Sequence, residues 1–241
     1  MLRMGLASRT STLYAPRRGT RGHFQEEIEN LRSSLVEMAS VVLAQVETAV
    51  RAWDEVDHAA AGEVIAGDEQ VDERCLDLDQ RIFNIQVLEA PVASDLRLLH
   101  VGLIAVIALE RVGDLAVSIA RLANGVPREG AVPEVQSIVQ RMSARAVDAL
   151  AEAIQAIART DVALAERTGA DARQAQALMS DVLAAIGRAP DLPETKEWTS
   201  AAVLVARHLD RVANNAAELA GRVRFLSTGE AYTRRRAQGV G

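Results

Sequence analysis

The chain has 241 residues, of which 49% are hydrophobic, 25% charged and only 3% aromatic, and its formal charge is −6 at neutral pH. Hydrophobicity at that level excludes wholesale disorder, and the scarcity of aromatics argues against both a β-sandwich and a base-stacking surface for nucleic acid. The negative balance further excludes non-specific binding of nucleic acid by the chain as a whole, which needs a cationic surface.

Alanine is the commonest residue, with 43 copies. Together with frequent Leu, Val, Glu and Arg it gives a strongly helix-forming composition, so the predicted fold class is all-α. Cys75, the single cysteine, has no intramolecular disulfide partner; it reads as a small core residue and suits a reducing compartment. The longest apolar stretch, Leu98 to Leu109, is interrupted by His100 and is too short for a membrane span. Residues 1–22 carry five arginines and no acid, but lack the apolar run of a secretory signal. The expected location is therefore cytoplasmic. The basic ends, Arg17 with Arg18 and Arg234 to Arg236, read as solvated tails, with contact to lipid headgroups or an acidic partner as the alternative. Lys196, the only lysine, lies outside any Gly-rich loop, which excludes a P-loop.

In chain order, Phe24, Ile28, Leu31, Leu35, Met38, Val42 and Val46 recur every three or four residues and predict a long amphipathic helix. A second is expected from about Ala59 to Leu88, ended by Ala90-Pro91. A third runs from Ser94, read as its N-cap, to Ala123, where Asn124, Gly125 and Pro127 stop it. The second half repeats the plan with helices near 133–160, 162–188 and 194–226. The last two are separated by Gly187, Arg188, Ala189 and Pro190. Met38 aligns with Met142 and Asp57 with Asp161 at an offset of 104, Asp68 with Asp171 at 103, and Glu110 with Asp210 at 100. Such self-similarity is the mark of a tandem duplication. The expected organisation is a basic arm (1–22), a first three-helix unit (23–124), a Gly/Pro-rich linker (125–132), a second three-helix unit (133–230) and a basic tail (231–241).

Two places set carboxylates four residues apart on one helix face, Asp68 with Asp72 and Glu110 with Asp114. Like charges at that spacing destabilise a helix by about 0.2–0.5 kcal/mol, so a cation should offset them. Either the four carboxylates of adjacent helices form a set of hard oxygen ligands for a multivalent metal, or they pair with arginines such as Arg111, Arg97 or Arg74 or stand on a solvated face. Glu55 and His58 form one Glu-x-x-His step, whereas a di-iron bundle needs two. His58 therefore reads as a surface or packing residue, as do His23, His100 and His208. No Gly-x-Ser-x-Gly elbow, Cys-His arrangement or zinc-type cysteine spacing is present.

The stretch Ala90-Pro91-Val92-Ala93-Ser94-Asp95-Leu96-Arg97, followed by Leu109-Glu110-Arg111-Val112-Gly113-Asp114, resembles the PhoU family of phosphate-transport regulators. Phe24 to Met38, Val64-Ile65 with Asp68 and Asp72, Ala206 to Asn214 and Leu226 to Glu230 extend the resemblance over residues 23–230. It implies six helices in two tandem three-helix bundles, often dimeric, that act in the cytoplasm and catalyse no reaction. The implied role is to damp uptake by the phosphate-specific ABC transporter, through its ATPase subunit, and to signal to a PhoR-type sensor histidine kinase. Association with the membrane would then be peripheral, through the transporter.

The family's Glu/Asp-x-x-x-Asp motifs bind multinuclear metal clusters of iron, zinc, manganese or magnesium. Asp68 with Asp72, and Glu110 with Asp114, match them. The chain departs from the family pattern at Leu115, where a histidine is common, and at Ser118, where asparagine is frequent. In the second repeat Asp171 and Asp210 remain, but the motif aspartate is Asn214 and the partner of Asp72 is Ala175. An amide is a poorer ligand for a multivalent ion, so the second site is expected to be the weaker. A metal cluster would leave coordination positions open to an anion such as phosphate. The rival readings are a metal-free helical adaptor and a carboxylate-bundle metalloenzyme.

Overall fold

The computed structural model describes residues 21–230. The basic arm ahead of them and the basic tail after them lie outside the described residues.

The first helix, α1 (Arg21–Glu55), begins slightly before the predicted start at Phe24. Its apolar stripe of Ile28, Leu31, Leu35, Met38, Val42, Val46, Ala49 and Trp53 is buried. By length and composition Gly22–Glu55 could cross a membrane, but that stripe is occupied in the protein core. The chain turns at Val56, in the left-handed region at φ 59°, and Asp57 then caps α2 (His58–Ala66) by accepting from the Ala60 amide at 3.0 Å.

The predicted second helix is one rod with an interruption at Gly67, which separates α2 from α3 (Asp68–Glu89). Gly67 keeps a right-handed helical conformation, so the run is broken without reversing. Ala90 takes a left-handed conformation (φ 46°) just before Pro91 and ends α3. The third rod, α4 (Ala93–Gly125), begins one residue before Ser94. The residue at its N-cap is Val92, without a side-chain cap, so Ser94 lies inside the first turn rather than capping it.

The second half comprises α5 (Pro133–Arg159), α6 (Val162–Ile186) and α7 (Pro193–Thr228). Asp161 caps α6 through the Leu164 amide at 3.0 Å, the same act its repeat counterpart Asp57 performs. Met38 and Met142, also aligned by the repeat, are both fully buried. No strand occurs among the described residues. The fold is all-helical and has the six-rod plan, with one rod in two pieces.

Helices α1 to α4 pack on one another, α5 to α7 do the same, and the two groups meet where α1 lies on α5 and α4 on α7. One continuous apolar core runs through both groups. At its margin Trp53 of α1 stacks on Trp198 of α7, with centroids 5.9 Å apart and planes 24° from parallel. Close approach within the first group uses Gly102, where a Cβ would stand 3.2 Å from Leu35 Cδ1 and 3.5 Å from Ile82 Cδ1.

Candidate functional site

Helices α3 and α4 face each other as neighbours. Gly113 on α4 lies against Val71 on α3, and this level brings the two acidic pairs together. Burial pushes the Asp68 carboxyl above the usual carboxylate range, and the Asp72 and Asp114 carboxylates push it further, while Arg121 pulls the other way. Behind them sits Cys75, a core residue as expected. Its thiol is pushed up to about 12 by burial and by the negative charge of Glu110, Asp72 and Asp114. All four carboxylates thus act electrostatically on one small region, although Asp72, Glu110 and Asp114 are exposed and only Asp68 is half-buried.

Arginines lie near this face without pairing directly with its carboxylates. No ion pair within 4 Å involves Asp68, Asp72, Glu110 or Asp114 among the described residues. The Arg97 Nε instead donates to the Leu226 carbonyl at 3.4 Å, and Arg111 lines a cleft beside Asp114.

The second repeat is built the other way. Asp171 is paired with Arg145 at 3.8 Å. Asp210, only 8% exposed, is paired with Arg207 at 2.9 Å. Asn214, one turn along α7, donates its amide to the Asp210 carbonyl at 2.9 Å and to Asp210 Oδ1 at 3.3 Å, while its own Oδ1 accepts from the Gln176 amide. Salt-bridged acids therefore describe the second repeat and not the first, where Asp72, Glu110 and Asp114 stand on a solvated face.

Donor chemistry decides whether a metal fits. Among the described residues no three His, Cys, Asp or Glu side chains converge as a cage for one ion. The first-repeat donors come instead as two carboxylate pairs. Hard cations such as Mg²⁺ are commonly held by one or two carboxylates with water filling the other positions. On that basis the oxygen-only face of α3 and α4, with no direct ion pair, fits a hard cation, and the buried, hydrogen-bonded Asp210 does not.

The histidines stand away from this face. Nδ1 of His58 is 3.0 Å from Asn124 Oδ1, His23 faces Glu27 at 3.6 Å, and His100 lies edge-on to Phe225. Burial and the nearby Arg211 cation depress His208 below the ordinary histidine range. Sequence reasoning missed Arg121 and Arg211 as neighbours of the acidic face. Both share a cleft with Asp68 and Asp114, and only the packing of α7 against α4 brings Arg211 there.

Comparison with known proteins points the same way as the helical plan. A family model described as the PhoU domain matches residues 35–123, from within α1 to the end of α4. The crystal structure of PhoU from Pseudomonas aeruginosa superposes with a TM-score of 0.82 at 29% identity, covering 86% of this chain and all of that one. The chain is similar to the PhoU family, in sequence over residues 35–123 and in fold over most of its length. The PhoU homolog of Pseudomonas putida, described as a phosphate-specific transport system accessory protein, is 37% identical over 142 residues, which is 59% of this chain and 56% of that protein. The aligned stretch thus spans little more than half of that relative. The Caulobacter vibrioides PhoU homolog is 25% identical over 219 residues, or 93% of its length. The crystal structure of PhoU from Streptococcus pneumoniae shares the fold, with a TM-score of 0.78 at 22% identity.

Proposed function

We propose that this PhoU-like chain is a cytoplasmic accessory regulator of phosphate transport, which damps the phosphate-specific ABC transporter through its ATPase subunit and signals to a PhoR-type sensor kinase. It acts by binding and catalyses no reaction. The PhoU fold over most of the chain, together with relatives described as phosphate-specific transport system accessory proteins, supports this reading. The observation that carries the mechanism is the acidic face of α3 and α4, whose four carboxylates make no ion pair within 4 Å among the described residues.

In this mechanism Asp68 and Asp72 on α3, and Glu110 and Asp114 on α4, hold hard cations pairwise. A bound multivalent cation would add positive charge beside these carboxylates and leave coordination positions open to phosphate. The protein's own contribution is to hold the carboxylates on two packed helices and to keep arginine out of direct ion pairs with them. In the second repeat Arg145, Arg207 and Asn214 already satisfy Asp171 and Asp210, which leaves that face to packing or partner contact. The metal-free adaptor reading draws its support from this second face alone.

The test is functional replacement. In cells lacking their own PhoU, the full chain should lower the rate of radiolabelled phosphate uptake in phosphate-rich medium and should co-purify with the transporter ATPase subunit and the sensor kinase. A Glu110→Ala/Asp114→Ala chain, folded by circular dichroism, should fail to lower uptake. Unchanged uptake with the parent chain refutes the regulatory role. Full function in the double variant refutes the metal-dependent mechanism and favours the adaptor.

A further inference from the structure

A cleft of about 320 Å³ opens beside the acidic face, between α4 and α7, and is lined in part by Arg111, Arg121 and Ser118 of α4, Arg211 of α7, and Asp68 and Asp114. None of the three arginines has a carboxylate within 4 Å among the described residues. Arg111 and Arg211 follow Glu110 and Asp210, the repeat-aligned acids, at an offset of 100. Packing α4 on α7 therefore brings equivalent arginines from the two halves to one cavity. Ser118 contributes no free hydroxyl proton, because its Oγ donates to the Asp114 carbonyl at 2.9 Å. The donors available to an occupant are the guanidinium groups, which stay charged at any physiological pH and present paired N–H groups to oxyanions.

We propose that this cleft is a binding site for a small free phosphoryl anion, held by Arg111, Arg121 and Arg211 without the help of a metal. Three guanidinium groups against two carboxylates leave the lining net positive, so a multiply charged anion is favoured over a neutral ligand. A tetrahedral oxyanion offers acceptors in three directions and can engage all three arginines, whereas a planar carboxylate offers two oxygens in one plane. The volume reaches the range of small-ligand pockets and has room for a diphosphate as well as a monophosphate. Because Arg211 belongs to one half of the molecule and Arg111 and Arg121 to the other, an occupant would bind the two halves together. The cleft shares Asp68 and Asp114 with the proposed cation site, but its anion donors are the arginines, so each can fail without the other.

The test is calorimetric titration of the full chain, stripped of metal by a chelator, with inorganic phosphate, pyrophosphate and acetate. Saturable binding of phosphate or pyrophosphate to the stripped protein is expected, with the tighter of the two identifying the size of anion the cleft takes. Acetate should compete at least tenfold more weakly. Arg121→Gln and Arg211→Gln should each weaken the affinity at least tenfold, with helical circular dichroism and metal content unchanged. The proposal is overturned by the absence of saturable binding, by equal competition from acetate, or by binding indifferent to both substitutions. It is also overturned if phosphate binds only after metal is restored, a result that would leave the carboxylate mechanism standing.

Discussion

Asn214 lies one helical turn beyond Asp210 on α7 and donates its amide to Asp210 Oδ1 at 3.3 Å, in the positions where α4 carries Asp114 and Glu110. This one contact separates the two repeats. A second aspartate there could not donate, and the buried Asp210 would face a like charge. Asn214→Asp should therefore destabilise the protein by about 1–3 kcal/mol at neutral pH, read from urea unfolding. The loss should shrink as pH falls and the added carboxyl takes up a proton.

The first repeat keeps its repulsion, and that makes a statement about pH. Asp68 is held above the ordinary carboxylate range in the folded protein, by burial first and by Asp72 and Asp114 next. A raised acid binds its proton more tightly folded than unfolded, so its contribution to stability falls as pH rises from the unfolded pKa through the raised folded one and stays lost above. Asp72→Asn should move the Asp68 titration midpoint, followed by carboxyl NMR, downward. It should also add about 0.2–0.5 kcal/mol of stability at neutral pH by removing a like-charge pair one turn apart. An unmoved midpoint would show that the two carboxylates do not interact.

Cys75 reports on the same field from inside the core. With its thiol pushed up to about 12 by burial and by Glu110, Asp72 and Asp114, only about one thiol in ten thousand is ionised at pH 8, and the thiolate is the reactive form. An aromatic disulfide reagent should modify native Cys75 at least about a hundredfold more slowly than the urea-unfolded chain. Equal rates in the two states would contradict both the burial and the acidic surroundings.

The connection between the halves should be intolerant of added bulk. A Cβ at Gly130 would stand 1.9 Å from the Glu194 carbonyl oxygen at the start of α7, so Gly130→Ala should cost about 2–3 kcal/mol through overpacking against the backbone. Gly62 has nothing within 4 Å of a built Cβ and lies inside α2. There Gly62→Ala should add about 0.5–1 kcal/mol by helix propensity. Thermal unfolding of the two variants beside the parent checks both signs.

The long helices are legible in the residues because each must bury a stripe at the helical period, and the duplication alone aligns Asp57 with Asp161 and Met38 with Met142. Those pairs prove to be matching caps and matching core residues. The break at Gly67 is not legible, since one glycine in a periodic run need not interrupt it, and the observed Gly67 stays helical in conformation. Ser94 looks like a cap by residue type, yet the left-handed turn at Ala93 sets the boundary one residue earlier. The acidic pairs can be found from their spacing of four. Whether arginine neutralises them cannot, because spacing along one helix says nothing about which side chains a neighbouring helix brings. Arg207 and Arg145 reach the second-repeat acids, and among the described residues no arginine comes within 4 Å of the first-repeat acids.

That asymmetry is the central claim, and the metal content of the full chain after incubation with iron, manganese, zinc or magnesium tests it most directly. Elemental analysis should find stoichiometric metal in the parent. The metal should be lost in Glu110→Ala/Asp114→Ala and retained in Asp171→Asn/Asp210→Asn, with all three proteins helical by circular dichroism. A parent that holds no metal under any of these conditions, or a Glu110→Ala/Asp114→Ala protein that holds as much as the parent, would contradict it.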